Sequence, residues 1–147
     1  MEVWELEARE CIRDLVARYN ANGDTGRIDQ VMACFAPDAV MQAGDDVERH
    51  GIEDIRTIFT QARDGAQWGD HPVYLRHLTS TLQIDLIDRS TAKARCYYAV
   101  ITDIGLDHWG RYIDQFKTVE GGGRGWKFAD RRVTVDGRSP SSLFTTA

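Results

Sequence analysis

Apolar residues in the first part of the chain recur every three or four positions, which is the spacing of amphipathic helices. Turn residues separate three such segments: Gly23 follows the first, Pro37 follows the second, and Gly51 opens the third. The predicted helices are residues 5–21, 28–35 and 51–65, and a short strand at 39–43 precedes the third helix.

Near Arg76 the hydrophobic period changes to two, which indicates strands. The predicted strands are 76–87, 91–104, 109–119 and 125–135, with turns at 88–90, 107–108 and 120–125. Helices followed by an antiparallel meander indicate an α+β fold. We expect three helices and a curved, mixed, mainly antiparallel sheet that wraps around the long N-terminal helix as a cone with one open end.

Composition and charge limit the class of protein. The 147 residues are 42% hydrophobic, without repeats or linkers, so we expect one domain over 1–138 and a flexible tail over 139–147. The net charge of −5, with scattered Lys and Arg, argues against a nucleic-acid partner. No apolar run approaches the roughly 20 residues that span a bilayer. The acidic start also lacks a signal-peptide pattern, so we expect a cytoplasmic protein with no membrane partner.

The sequence carries no motif for a metal or a cofactor. Its three cysteines and four histidines are widely spaced, without CxxC, HxH or HxxxH. The glycines at 121–123 lie between two predicted strands, so they indicate a hairpin turn and not a phosphate-binding loop. We therefore expect chemistry that needs neither metal nor cofactor.

Several sequence words carry a family resemblance. The first predicted helix ends in DLVARYNANGD, the next elements contain MACFAPDAV and GIEDIRTIF, the first long strand opens with RHLTSTLQI, and the last two strands contain GRYIDQFKTVEGGGRGWKFADRRV. In these words the chain resembles the SnoaL-like proteins of the nuclear transport factor 2-like superfamily. The resemblance implies a cystatin-like cone with an internal pocket and a homodimer or higher homo-oligomer formed through the sheet. The superfamily hosts isomerases, dehydratases, hydrolases, cyclases and non-enzymes.

Within the superfamily, the functional similarity is to scytalone dehydratase and hexachlorocyclohexane dehydrochlorinase, which use an Asp–His dyad. The resemblance places this dyad at Asp24, thirteen positions before Pro37, and at His77, near the start of the first long strand. A carboxylate would hold the imidazole in one tautomer, so that its free nitrogen takes a proton. Strand parity places Thr79 and Thr81 on the face of His77. The alternatives are a helix N-cap for Asp24 and a strand-end hydrogen bond for His77.

Six further residues are candidates for substrate binding: Tyr98, Thr102, Tyr112, Asp114, Trp68 and Phe59. If the parity of Tyr98 and Tyr112 points inward, a phenol could stabilise negative charge on a carbonyl oxygen. The alternative for these tyrosines is packing with the hydroxyls in water. Asp114 could act as an acid or base if buried, or form a salt bridge with Arg132 or Arg111.

Three functions are compatible with this pattern. The first is cofactor-independent lyase or isomerase chemistry, of the dehydratase kind, on a small apolar or aromatic cyclic molecule. The second is a non-catalytic ligand-binding or dimeric assembly module. The third is an epoxide hydrolase or polyketide cyclase, for which Asp114 and Arg132 would supply part of an Asp–Arg–Asp set.

Overall fold

A computed structural model describes residues 1–65, 67–119 and 125–144. The helices and strands, in chain order, are α1 (Val3–Asp24), α2 (Ile28–Met32), β1 (Phe35–Ala43), β2 (Arg49–His50), α3 (Ile52–Gly65), β3 (Gln67–Trp68), β4 (His71–Pro72), β5 (Leu75–Leu86), β6 (Thr91–Thr102), β7 (Gly105–Thr118) and β8 (Trp126–Arg138). The glycine-rich turn predicted at 120–125 falls largely outside the described residues.

The main sheet has six strands in the order β2-β1-β8-β7-β6-β5. β1 runs parallel to β8, and every other neighbouring pair is antiparallel. β3 and β4 form a separate two-stranded ribbon. The curved, mixed, mostly antiparallel sheet with three helices confirms the predicted fold class.

α1 is the helix around which the core is built. Its buried face includes Ile12, Leu15, Val16 and Tyr19, and the helix contacts β5 and β8. Burying each of these large apolar side chains contributes roughly 1.5–3 kcal/mol. Glu2 and Glu5 close its N-terminus as a capping box. None of the described helices has an apolar stretch long enough to cross a membrane.

Two predicted boundaries differ from the structure. Phe35 begins β1 and does not end α2, because it pairs with Phe128 in the parallel ladder and the Cys34 carbonyl accepts the Phe128 N–H at 2.9 Å. β7 begins at Gly105, whose φ of 91° completes the turn after β6. The turn predicted at 107–108 is therefore wrong, and those residues belong to β7.

A β-bulge in β5 reverses one predicted face. Ser80 pairs with Tyr97 and Gln83 with Arg95, so β5 carries one extra residue, and Thr81 has a positive φ of 55°. Beyond the bulge the apolar residues, Leu82 and Ile84 among them, share the inner face of the sheet with His77. The prediction that Thr81 lies on the same face of the strand as His77 is therefore wrong.

Within the predicted tail, residues 139–144 contact the sheet, and residues 145–147 lie outside the described residues. The Ser139 N–H donates to the Asp107 carbonyl at 2.7 Å, and the Leu143 N–H donates to the Asp107 carboxylate at 2.8 Å. Non-local hydrogen bonds of this kind leave no local pattern in the sequence.

The outer face of the sheet exposes the apolar side chains of Leu78, Tyr97 and Ile113. Ile84, on the same strand as Leu78, is buried in the core. Exposed apolar residues on one sheet face are typical of an interaction surface, and the homodimer stays a prediction.

Gly110→Ala is expected to lower the free energy of unfolding by about 3 kcal/mol. A Cβ at Gly110 would clash with the Thr134 carbonyl and lie 2.9 Å from the Tyr98 hydroxyl, so two strands would have to separate. Urea unfolding measures the loss. Gly65→Ala is the control, because no atom lies within 4 Å of its Cβ position. Equal stability of the two variants would contradict this account.

Candidate functional site

Asp24 and His77 form a close pair on the inner side of the sheet. Asp24 is the last residue of α1, and His77 is the third residue of β5. The Asp24 Oδ1 atom lies 2.6 Å from His77 Nδ1, and Oδ2 accepts the His77 backbone N–H at 3.0 Å. The Asp24 side chain is 7% exposed and the His77 side chain 22%. The sequence correctly predicted this proximity, while the catalytic role of the pair stays a prediction.

The two-point contact fixes the chemistry that His77 can perform. A carboxylate accepts and cannot donate, so Nδ1 carries the hydrogen that Asp24 accepts. His77 Nε2 then has a free lone pair and can take a proton. α2 has Arg27 as its N-cap residue, without a side-chain cap, so Asp24 orients His77 and does not cap that helix.

A second Asp–His pair lies on β7, and our sequence analysis did not find it. His108 Nδ1 lies 2.7 Å from Asp107 Oδ1, and the two side chains are 12% and 0% exposed. Thr102 Oγ1 donates to Asp107 Oδ2 at 3.1 Å, and the Leu143 N–H donates to the same oxygen. Burial alone would raise the pKa of Asp107, but its hydrogen bonds together hold that pKa below the usual range.

The two histidines lie on the two strands that flank β6, at the same level of the sheet. His77 on β5 and His108 on β7 are both register partners of Val100 on β6. Two strand spacings put their backbones about 10 Å apart. The ring of Tyr98 lies 6.1 Å from the His77 ring and 6.2 Å from the His108 ring.

Tyr98 and Tyr112 point inward, yet neither hydroxyl is free. Their rings stack at 4.7 Å. The Tyr98 hydroxyl donates to the Thr134 carbonyl at 2.8 Å, and the Tyr112 hydroxyl donates to Asn20 Oδ1 at 3.2 Å. Burial raises the pKa of Tyr98 to about 12, so the phenol stays protonated. The two rings therefore contribute to the shape of the site, while both hydroxyl hydrogens are engaged in hydrogen bonds within the protein.

Asp114 pairs with Arg131, and not with Arg132 or Arg111 as predicted. Asp114 and Arg131 are register partners on the inner face, and the guanidinium binds both carboxylate oxygens at 2.9 and 3.1 Å. The register partner of Arg132 is Ile113, which lies on the outer face, so Arg132 points away from Asp114. It contacts Asp130 instead. Burial raises the pKa of Asp114, and Arg131 opposes that rise. Both side chains are 0% exposed, so this ion pair belongs to the core.

The other predicted substrate-binding residues differ in their positions. The Thr102 hydroxyl contacts Asp107, so it orients the second pair. Phe59 on α3 packs with its ring 5.7 Å from that of Tyr19, away from the row of histidines. The side chain of Trp68 lies outside the described residues.

A cavity of about 910 Å³ opens between α3, the hairpin after β1 and the end of β8. Its apolar wall includes Ile58, Val135, Leu143 and Phe144. Neither histidine is among the described residues that line it. The Phe144 ring lies 5.4 Å from the His108 ring, so it stands between the cavity and the second pair.

His108 would have been found from strand parity. It shares the even-numbered inner face of Tyr112 and Asp114. Assigning 107–108 to a turn removed His108 from that face, whereas strand parity would not have placed the odd-numbered Asp107 there. No local signal pointed to Phe144, because its contact with His108 crosses from the C-terminal segment to β7.

The stability of the protein should fall with decreasing pH because of His108. Burial lowers the pKa of His108 below its ordinary 6.5, although the hydrogen bond to Asp107 opposes this. The unfolded chain then takes up a proton at a higher pH than the folded chain. The stability contribution is therefore complete above pH 6.5 and is lost as the pH falls through the folded pKa.

Urea unfolding above and below pH 6.5 checks this expectation. His108→Asn should reduce the dependence of the unfolding free energy on pH in this range. His50→Gln should leave it unchanged, because the His50 side chain is 67% exposed. The same pH dependence in the His108 variant and the wild type would contradict the assignment to His108.

The described residues thus combine three helices and a curved, mixed sheet with two Asp–His pairs on its inner face. The model of the SnoaL-like domain family matches residues 4–132, and the chain belongs to this family. This confirms the resemblance found in the sequence. No curated protein matches the chain.

Solved structures share the fold at low identity. A protein provisionally assigned as a scytalone dehydratase from Novosphingobium aromaticivorans is 16% identical, with a TM-score of 0.82 over 100% of this chain and 94% of that one. A cystatin-like protein of unknown function from Nostoc punctiforme is 24% identical, with a TM-score of 0.74 over 91% and 92%. A protein provisionally assigned as an aromatic ring hydroxylase from N. aromaticivorans is 24% identical, with a TM-score of 0.72 over 89% and 90%. At these identities the similarity shows the fold alone.

Proposed function

We propose that this protein is a cofactor-independent lyase or isomerase that performs acid–base chemistry on a small apolar cyclic molecule. The observation that supports it is the Asp24–His77 pair, whose carboxylate binds both the ring and the backbone of the histidine at 2.6 and 3.0 Å. A base held at two points keeps its orientation through the reaction.

The proposed step begins with proton abstraction at a carbon next to a carbonyl. His77 Nε2 takes the proton, the C–H electron pair forms an enolate, and Asp24 stabilises the imidazolium. In an elimination the enolate re-forms the carbonyl, a double bond forms between the α- and β-carbons as the C–O bond at the β-carbon breaks, and the imidazolium gives its proton to the departing oxygen, which leaves as water. In an isomerisation the same proton goes to another carbon of the ring system.

His108 supports this proposal as a neutral acceptor. Burial lowers its pKa, and its Nδ1 hydrogen is held by Asp107, so Nε2 can accept a hydrogen bond from a substrate hydroxyl. The two histidines are register partners of the same residue, Val100, so they lie on one face of the sheet.

Small cyclic ketones with a hydroxyl at the β-carbon are the substrates with which to test the proposal. In D₂O, proton NMR detects solvent deuterium at the α-carbon, and mass spectrometry distinguishes loss of water from isomerisation. We expect His77→Gln to lower either rate by about 10²–10⁴-fold, and His50→Gln to retain wild-type activity. Activity retained by a folded His77→Gln protein would exclude this mechanism.

One observation favours a non-catalytic ligand-binding module as the second candidate. The cavity of about 910 Å³ is lined by α3, β8 and the C-terminal segment, and the two phenols are engaged by the protein. A binding module would take up apolar rings without exchanging their α-protons. The NMR experiment therefore distinguishes the two candidates.

The epoxide-hydrolase alternative has weaker support. It needs an Asp–Arg–Asp set that reaches a water molecule and the substrate. Arg131 binds Asp114 with both side chains fully buried, and Arg132 faces Asp130 near the outer surface. Reaction at Asp114 would require the core ion pair to open, which costs several kcal/mol.

A further inference from the structure

The C-terminal segment, residues 139–144, is attached to the sheet mainly through one residue. Asp107 accepts the Ser139 N–H at its carbonyl, and its carboxylate accepts the Ser142 hydroxyl and the Leu143 N–H. The Arg138 guanidinium also donates to the Phe144 carbonyl. These contacts bring the Phe144 ring to the inner side of the sheet.

The Phe144 ring lies where a ligand of the proposed kind would bind. Its centre is 5.4 Å from the His108 ring at an interplanar angle of 59°, and the same ring forms part of the wall of the large cavity. An apolar ring against an imidazole is the contact that an apolar cyclic ligand would make. Phe144 thus contacts both the cavity and His108.

The attachment of this segment is weak. Every residue from 139 to 144 is at least partly exposed, so the segment adds no fully buried apolar side chain to the core. Segments with few buried apolar contacts open at low free-energy cost. The Asp107 carboxylate would keep Thr102 and His108 as hydrogen-bond partners after the segment left, so opening leaves no unpaired buried charge.

We propose that residues 139–144 form a displaceable plug, in which Phe144 occupies the ligand position beside His108. The hydrogen bonds to Asp107 hold this plug in place. A flat apolar ring and the plug compete for this position. Displacement of the plug joins the cavity of about 910 Å³ to the two Asp–His pairs. The proposal rests on the proposed function only for the class of ligand, an apolar ring.

Chemical modification of the histidines tests the position of the plug. Diethyl pyrocarbonate reacts with an accessible neutral imidazole nitrogen, and peptide mass spectrometry reports each histidine separately. In a chain that ends at Arg138, we expect His108 to react on the order of ten-fold faster than in the full chain. His50, which is exposed, is the internal control and should react equally in both chains.

Binding of 1-naphthol, a fluorescent two-ring molecule, tests the competition in full-length protein. Phe144→Ala should bind it about ten-fold tighter than the wild type, because the plug no longer fills the position. Ser141→Ala is the matched control, since Ser141 is exposed and its side chain hydrogen-bonds, among the described residues, with Ser139 alone.

Equal reaction of His108 in the full and shortened chains would overturn the proposal. Unchanged 1-naphthol affinity in the Phe144 variant would overturn it as well, and this variant serves if the shortened chain does not fold. Neither measurement uses turnover. A protein without lyase activity can therefore still show the plug, and a failed plug test leaves the role of His77 to be decided by the NMR experiment.

Discussion

Asp24→Asn should reduce turnover by about 10²–10⁴-fold, as much as loss of the base itself, while the protein stays folded. The substitution preserves the shape of the side chain but replaces one oxygen by an NH₂ group, which donates. The remaining oxygen can accept either the His77 backbone N–H or the Nδ1 hydrogen, but not both. With the NH₂ group facing Nδ1, the imidazole hydrogen moves to Nε2, and His77 loses the lone pair that takes the proton.

The measurement is the rate of α-proton exchange of a cyclic ketone, followed by NMR in D₂O together with circular dichroism of the variant. Asp103→Asn is the matched control, because the Asp103 carboxylate accepts the Tyr74 backbone N–H at 2.9 Å and does not contact His77. We expect this control to react like the wild type. A rate for Asp24→Asn within a few-fold of the wild type would show that the orientation of His77 does not limit the reaction.

The fold could be predicted from the sequence because its signals are local. The helical spacing that ends at Gly23 and the period of two after Arg76 each describe one segment at a time, and α1 and the long strands form there. The bulge at Thr81 could not be predicted in this way. A positive φ is rare for a threonine, and the pairing of β5 with β6 holds Thr81 in this conformation. Strand parity describes one segment alone and carries no information about this pairing.

The candidate site was predictable to the extent that the family resemblance covered it. Asp24 and His77 were placed by matching two positions, and the structure brings them within 2.6 Å. Asp107 and His108 were missed because Gly105, and not the Asp-His word, makes the turn. Phe144 reaches the site through backbone hydrogen bonds to Asp107, and such contacts depend on the folded chain as a whole.

Removal of the Asp114 carboxylate should cause the largest loss of stability. Asp114→Ala leaves the Arg131 guanidinium charged and fully buried, stacked on the rings of Tyr19, Tyr112 and Phe128 at 4.1, 3.9 and 4.3 Å. Aromatic faces stabilise a cation but do not replace two hydrogen bonds to a carboxylate. One nitrogen, Nη1, already has no hydrogen-bond partner among the described residues. We expect a loss of about 3–5 kcal/mol in the free energy of unfolding.

A double variant, measured by urea unfolding, separates charge from packing. Asp114→Leu with Arg131→Met removes both charges and should recover most of the loss, since apolar side chains often replace a buried ion pair without cost. Asp136→Ala is the control, because it breaks the exposed pair with Arg111, where the expected loss is below about 1 kcal/mol. A double variant as unstable as Asp114→Ala would mean that the shape of the pair, and not its charge, holds this part of the core. In that case the flat shape of the guanidinium, packed against the aromatic rings, is what stabilises this region, and the ion pair contributes to the core through packing.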